Sequence, residues 1–204
     1  MSDPTAPDTT SSSAAPGWIL LARHGEPALS RKIRLNAAEY RAWWDRYEAG
    51  GLLADQVPPP ALVEMAGKAD TVMVSSRRRA IETAHALVQG KAFDPDVRMI
   101  EAPLPAPPLP DFLRFNPKVW GFISRFCWWF FDYHDAGQEN RSGAVARARD
   151  LAQRLIDEAQ AGRNVIAVAH GFFNFLVALQ LKSLGWRQVE GRGHRYWSTK
   201  LFKR

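Results

Sequence analysis

A three-layer α/β fold, with a mostly parallel sheet flanked by helices, is what this sequence predicts. Three observations carry that expectation. Four short runs, Trp18 to Ala22, Thr71 to Val74, Val97 to Ile100 and Asn164 to Ala169, are apolar nearly throughout and rich in Val, Ile, Leu or Met. Runs of that kind suit strands covered on both faces, as in parallel sheets. Segments with helical character lie between them, and strand alternating with helix implies a parallel sheet covered by helices. One stretch breaks the rhythm: "EAPLPAPPLPDFLRFNP", Glu101 to Pro117, holds six prolines and reads as an extended loop.

Taken in order, residues 1–16 contain Asp3 and Asp8, no Lys or Arg, and much Pro, Ser, Thr and Ala, the composition of a disordered leader. They lack the basic and apolar regions of a secretory signal and the arginines of a transit peptide. A single domain is expected over 17–204. The first strand ends in "LLARHGEP". Helices are expected over Ala37 to Ala49, Ala61 to Gly67 and Arg77 to Gln89. The proline-rich loop leads into "KVWGFISRFCWWFFDYHD", read as an aromatic helix, so that an insert spans about 102–134. On that helix Val119, Phe122, Ile123, Phe126 and Phe130 share one face, which should pack on the core. Trp120, Cys127, Trp128, Trp129 and Phe131 widen the apolar surface. The surplus has three readings: core, lining of a substrate pocket, or a contact patch for a second copy or a membrane surface. A long helix follows over Ser142 to Ala161, with Val145, Ala148, Ala152, Leu155, Ile156 and Ala159 at helical spacing. A helix over Phe172 to Leu184 follows the fourth strand, and "YWSTKLF", Tyr196 to Phe202, could add an edge strand.

Composition narrows the function classes. The chain has 204 residues, 46% hydrophobic and 24% charged, the balance of a soluble globular protein. Its net charge is +6, which leaves +8 on the part beyond the acidic leader. From Lys182 onward, Lys182, Arg187, Arg192, Arg195, Lys200, Lys203 and Arg204 face one acid, Glu190. Such a tail suits a solvated terminus or attraction of an anionic substrate. No nucleic-acid reading module accompanies it, which argues against a nucleic-acid partner. The lone cysteine, Cys127, forms no intrachain disulfide and suits a reducing compartment. The longest strongly apolar stretch, Phe122 to Phe131, is about half of what a bilayer span needs, so a cytoplasmic protein is expected.

Ligands of open α/β sheets bind beyond the carboxyl ends of the strands. There the sequence places Arg23-His24-Gly25, then "SSRRRAIETA" (Ser75 to Ala84), then Glu101, then His170-Gly171. Two histidines, arginines from two loops and a carboxylate would converge at one sheet edge. Ser75 or Ser76 would cap the helix that follows it, and helix N-termini there would favour phosphate.

These motifs resemble the histidine phosphatase superfamily, the phosphoglycerate mutase-like group, in its branch of small bacterial-type phosphatases. "LLARHGEP" looks like the signature Arg-His-Gly. "SSRRRAIETA" is similar to the second motif, with Ser76 in place of its usual Pro, and the register selects Arg79 over Arg77 and Arg78. "VIAVAHGFFNFLVA" resembles the second-histidine motif. The region around Glu101 lacks the Leu-Asn-Glu-Arg-x-Tyr-Gly pattern of the glycolytic mutases, which speaks against mutase activity more than against phosphoryl transfer.

The resemblance implies a phosphoglycerate mutase-like fold and a phosphoric monoester hydrolase acting on a small phosphorylated substrate, with no metal and no cofactor. His24 would attack phosphorus as neutral imidazole and become phosphohistidine. Arg23, Arg79, His170 and Gly171 would bind the phosphate, with Gly25 and Gly171 leaving room for close backbone approach. Glu101 is the favoured general acid, with Glu26, Asp111 and Glu139 as rivals. The alternatives are a phosphomutase, a protein phosphatase, or a non-catalytic phosphate-binding module on the same fold. His85, His134 and His194 read as structural or exposed.

Overall fold

The computed structural model describes residues 15–191 and 193–204. Most of the expected leader, and Arg192 of the basic tail, lie outside the described residues. The sheet has six strands: β1 (Ile19–Arg23), β2 (Thr71–Ser75), β3 (Pro95–Asp96), β4 (Val165–Ala169), β5 (Arg187–Glu190) and β6 (Thr199–Lys203). Their order is β3-β2-β4-β1-β6-β5. The first four are parallel, while β6 runs antiparallel to both β1 and β5. The central register pairs Ile19 with Val165 and Ala22 with Val168.

Period-two alternation sorts the sheet residues onto two cores. Ile19, Leu21, Val165, Ala167 and Ala169 face α5 (Arg141–Gln160) and α6 (Gly171–Ser183). Leu20, Ala22, Ile166 and Val168 face α2 (Pro60–Gly67) and α3 (Arg78–Leu87). Because both faces are covered, the strands could be apolar throughout. A third, smaller core joins α1 (Ala37–Ala49) to α4 (Pro117–Phe131) through Tyr40, Trp43, Tyr47, Ala106 and Trp120. This arrangement is the three-layer, mostly parallel fold expected from the sequence.

Local signals fix the helix starts. Asn36 and Glu39 form a reciprocal capping box on α1, at 2.9 Å each way. Asn116, followed by Pro117, caps α4, and Asn140 caps α5. Glu139, a rival for general acid, instead grips Arg147 through both oxygens at 2.8 and 2.6 Å.

Four expectations are corrected. Val97 to Ile100 is not a strand: pairing is confined to Pro95–Asp96, and Val97–Met99 forms a 3-10 turn, because the Asp96 carboxylate accepts from Arg98 N at 2.8 Å and folds the chain back. The last strand starts at Thr199 and lies inside the sheet, with the polar β5 outside it. Neither Ser75 nor Ser76 caps α3, whose N-cap is Arg77 with no side-chain bond. Finally, α4 buries the opposite side from the one expected. Trp120, Ser124 and Trp128 are fully buried, while Phe122 is 72% and Phe130 64% exposed. A helix apolar almost all round carries no unique stripe. The indoles turned inward, where Trp120 Nε1 donates to Leu35 O at 2.7 Å.

Candidate active site

The strand-end motifs meet at one place. β1 and β4 run side by side, so His24 and His170 emerge together, with ring centroids 5.2 Å apart. Both are buried. His24 Nδ1–H donates to the Gly25 carbonyl at 2.7 Å, which leaves Nε2 as the free lone pair. Burial first, then the charges of Arg79 and Arg23, hold His24 well below its ordinary pKa. His170 is held low by burial and by Arg79. Both rings are therefore neutral at neutral pH.

Arg79 lies on the first turn of α3 and is completely buried. Its Nε donates to His24 Nε2 at 3.3 Å. Its Nη2 donates to His170 Nδ1 at 3.1 Å and to Glu48 Oε1 at 2.6 Å, and its Nη1 to Tyr47 O at 2.9 Å. Arginine has no acceptor, so His170 Nδ1 must be the acceptor and His170 Nε2–H the donor to Ser75 Oγ, at 2.8 Å. The serine read as a helix cap thus orients the second histidine. Arg77 and Arg78 point elsewhere, Arg77 to Glu48 at 2.9 Å and Arg78 to Glu82 at 2.6 Å.

Arg23 stacks on Tyr196 at 4.7 Å and donates to His194 O through Nη1. Its Nε is buried without a hydrogen-bond partner among the described residues. The glycines are explained by side chains pressed against them. A Cβ on Gly171 would come within 3.1 Å of the Arg23 guanidinium, and one on Gly25 within 2.4 Å of the Trp197 ring. Thr83, one turn beyond Arg79, accepts from Gly25 N at 3.0 Å and ties the first motif to α3.

Glu101 reaches the start of α6. Its Oε1 accepts from Phe173 N at 2.8 Å and Ala102 N at 3.1 Å, and its Oε2 from Phe172 N at 3.1 Å. The second and third N–H groups of α6 are thus taken by a carboxylate, while Gly171 lines the cavity. Glu26 and Asp111 are exposed and do not line the cavity beside His24, whereas Glu101 does.

That cavity holds about 640 Å³. At its inner end are Arg23, His24, Arg79, Glu101 and Gly171, and its walls are aromatic, including Tyr40, Trp44, Tyr47, Phe122 and Phe172. Arg31, Lys118 and Arg125 add positive charge, and Glu101 is the one carboxylate among the described lining residues. Sequence reasoning missed Glu48, Thr83, Arg31 and Arg125. Only Thr83, four residues after Arg79 on the same helix face, left a readable signal. His85 and His134 are exposed and lie outside the cavity, while His194 lies at its edge. Among the described residues no group of His, Cys, Asp and Glu could hold a metal ion, and no helix is long and apolar enough to cross a membrane.

Comparison with known proteins gives the family and the fold. The family model of the histidine phosphatase superfamily (branch 1) matches residues 61–202. Among solved structures, the phosphoglycerate mutase of Bacillus anthracis superposes with a TM-score of 0.58 at 16% identity, covering 94% of this chain and 90% of that one. The product of a Mycobacterium tuberculosis open reading frame gives 0.56 at 18% identity, over 91% of this chain and 90% of that one. The ecdysone phosphate phosphatase of Bombix mori gives 0.54 at 15% identity, over 91% and 88%. No curated protein matches the chain. With a family model covering more than half its length and the phosphoglycerate mutase-like fold around two facing histidines, this chain belongs to the histidine phosphatase superfamily.

Proposed function

We propose that the protein is a phosphatase that hydrolyses a small phosphomonoester through a phosphohistidine on His24. The catalytic unit is residues 17–204, with the insert over 102–134. The observation that carries the reading is the fixed tautomer of His24: Nδ1–H is tied to Gly25 O, so the neutral ring presents Nε2 toward the Arg79 guanidinium. A phosphoryl group docked there takes over the Arg79 donor now directed at Nε2 and gains the unpartnered Arg23 Nε, which frees the nucleophile. Attack forms the Nε2–P bond and breaks the P–O ester bond.

The leaving alkoxide needs a proton, and Glu101 is the carboxyl group of the cavity. Its Oε1 is occupied by two N–H groups, while Oε2 has one and keeps a lone pair for proton exchange. Water then attacks phosphohistidine, returns its proton to Glu101 and releases inorganic phosphate. Glu48, by pinning Arg79, and Ser75, by pinning His170, are positioning residues. A cavity of about 640 Å³ roofed by α1 and α4 suits a small substrate over an extended protein surface.

Rapid quench with labelled p-nitrophenyl phosphate should trap acid-labile phosphate on His24. His24→Ala should lower kcat on the order of 10⁵-fold, as the loss of a covalent nucleophile does. Undiminished turnover in that variant would refute the reading.

A further inference from the structure

The face that α4 turns to solvent has no cover. Phe112, Phe122, Phe126, Phe130 and Phe131 are exposed, and every other Phe, Tyr and Trp among the described residues is at least partly buried. Lys118, Phe122, Phe126 and Phe130 follow at steps of four and form one ridge along the helix, flanked by the exposed Val119. The rings of Phe130 and Phe131 lie 4.8 and 5.9 Å from that of Phe126. Trp120 and Trp128 anchor the other side of α4 in the molecule, so the ridge is held outward. Contiguous apolar surface of this kind marks a contact.

A cationic strip adjoins the ridge. Residues 31–36 pair with the segment that leads into α4. Leu35 and Phe115 exchange both backbone hydrogen bonds at 2.9 Å, and Arg34 donates to Arg114 O at 3.0 Å. Arg31, Lys32, Arg34, Lys118 and Arg195 line one hollow, in which Glu26 is the one carboxylate among the described residues. Neither 31–36 nor 112–131 contains an Asp or Glu. Arg114 is paired with Glu39 at 2.7 Å, whereas Lys32, Arg34 and Lys118 form no ion pair among the described residues.

We propose that this ridge docks the protein on a lipid surface rich in anionic headgroups, with the phenylalanines at the boundary of headgroups and acyl chains and the strip on the headgroups. Exposed apolar side chains beside unpaired cations, with no acid among them, are the pattern of a helix that lies in that interface. The net charge of +6 has the matching sign. A second copy is matched less well, because a two-fold contact sets a patch against itself and brings its cations to like charges. Lys118 and Phe122 also line the cavity that holds His24, so docking keeps that cavity beside the headgroups. The inference does not depend on the phosphatase reading.

The full chain is sedimented with vesicles of phosphatidylcholine and phosphatidylglycerol in equal parts, and with vesicles of phosphatidylcholine alone. The wild-type protein should partition about tenfold more strongly onto the mixed vesicles and lose that preference at about 0.5 M NaCl. Phe126→Ser combined with Phe130→Ser should weaken partitioning onto the mixed vesicles by about tenfold or more, because apolar burial is lost. Lys32→Gln combined with Lys118→Gln should weaken it by about fivefold for each cation removed. Absence of wild-type protein from the mixed vesicles, or equal partitioning onto both kinds, overturns the inference. So does undiminished partitioning of the phenylalanine variant, which would assign binding to net charge alone. A wild-type dimer at sedimentation equilibrium that the same variant splits would assign the ridge to a second copy. If that variant misfolds by circular dichroism, Phe130→Ser with Phe131→Ser, at the end of the helix, replaces it.

Discussion

The two ends of the cavity are built on opposite terms. At the sheet edge, every nitrogen of Arg79 already has an acceptor, both nitrogens of His24 and of His170 are engaged, and Ser75, Thr83 and Glu48 hold the ring of contacts in place. Arg23 Nε has no hydrogen-bond partner among the described residues, and Arg77 Nε meets Glu48 as an ion pair only. At the α4 side the lining is mostly aromatic, and the Arg125 guanidinium is held by stacking on the Phe172 ring. A group that performs the same step on every substrate gains from being fixed beforehand, because no reorganisation is then needed as charge develops. An aromatic wall selects among substrates by shape and apolar contact instead.

That contrast can be broken at several points. The largest effect is expected at the saturated end. Arg79→Ala should lower kcat/KM on p-nitrophenyl phosphate by roughly 10²–10³-fold, the cost of one preorganised donor. Arg78→Ala, whose side chain is 71% exposed and paired only with Glu82, should stay within about twofold. Arg77→Ala should fall between them, since Arg77 shares Glu48 with Arg79. Equal losses at all three arginines would mean that the register of the motif, and with it the fixed end of the cavity, is misread.

Glu101 separates chemistry from architecture. Glu101→Gln should slow alkyl phosphates by about 10²-fold and p-nitrophenyl phosphate only a few-fold, because a nitrophenolate leaves without a proton. The same variant weakens a charged contact with the α6 N-terminus, worth about 0.3–1 kcal/mol. A uniform loss across leaving groups would assign Glu101 to the helix cap only.

The smallest effect is in stability against pH. His24 and His170 titrate below their ordinary value of about 6.5 in the folded state. The unfolded chain therefore binds more protons between the two values, and stability is full above about pH 6.5 and declines as pH falls. The slope should be at most about 1.4 kcal/mol per pH unit for each histidine. Thermal unfolding of the wild-type protein and of His24→Asn from pH 7.5 to 5 should give a shallower decline in the variant. Parallel curves would show that burial of His24 does not set its charge state.

Much of this was legible in the sequence. α1 appears over the residues expected, Ala37–Ala49, and α5 and α6 within a residue, because helical spacing and Asn or Gly boundaries are local properties. β1, β2 and β4 were legible because strands buried on both faces are apolar throughout. Their adjacency then brought His24, Arg79, Glu101 and His170 to one edge, as the strand-end rule requires. β5 was not legible, since an exposed edge strand reading Arg-Gln-Val-Glu has no apolar alternation. The Val97 to Ile100 run looked like a strand because apolar content does not register a carboxylate that captures the next turn.

What the sequence determined by itself was the set of candidate site residues and the layers that carry them, because each rests on residue type and short-range spacing. What only the tertiary structure decided was orientation. It set which face of an all-round apolar α4 turned inward, which of three consecutive arginines reached the histidines, and that Ser75 holds His170 instead of capping a helix. Glu48 pins Arg79 from α1, and Arg125 stacks on Phe172 of α6. Such contacts join residues far apart in the chain, and their strength depends on burial, which is a property of the packed molecule and not of any stretch of its sequence.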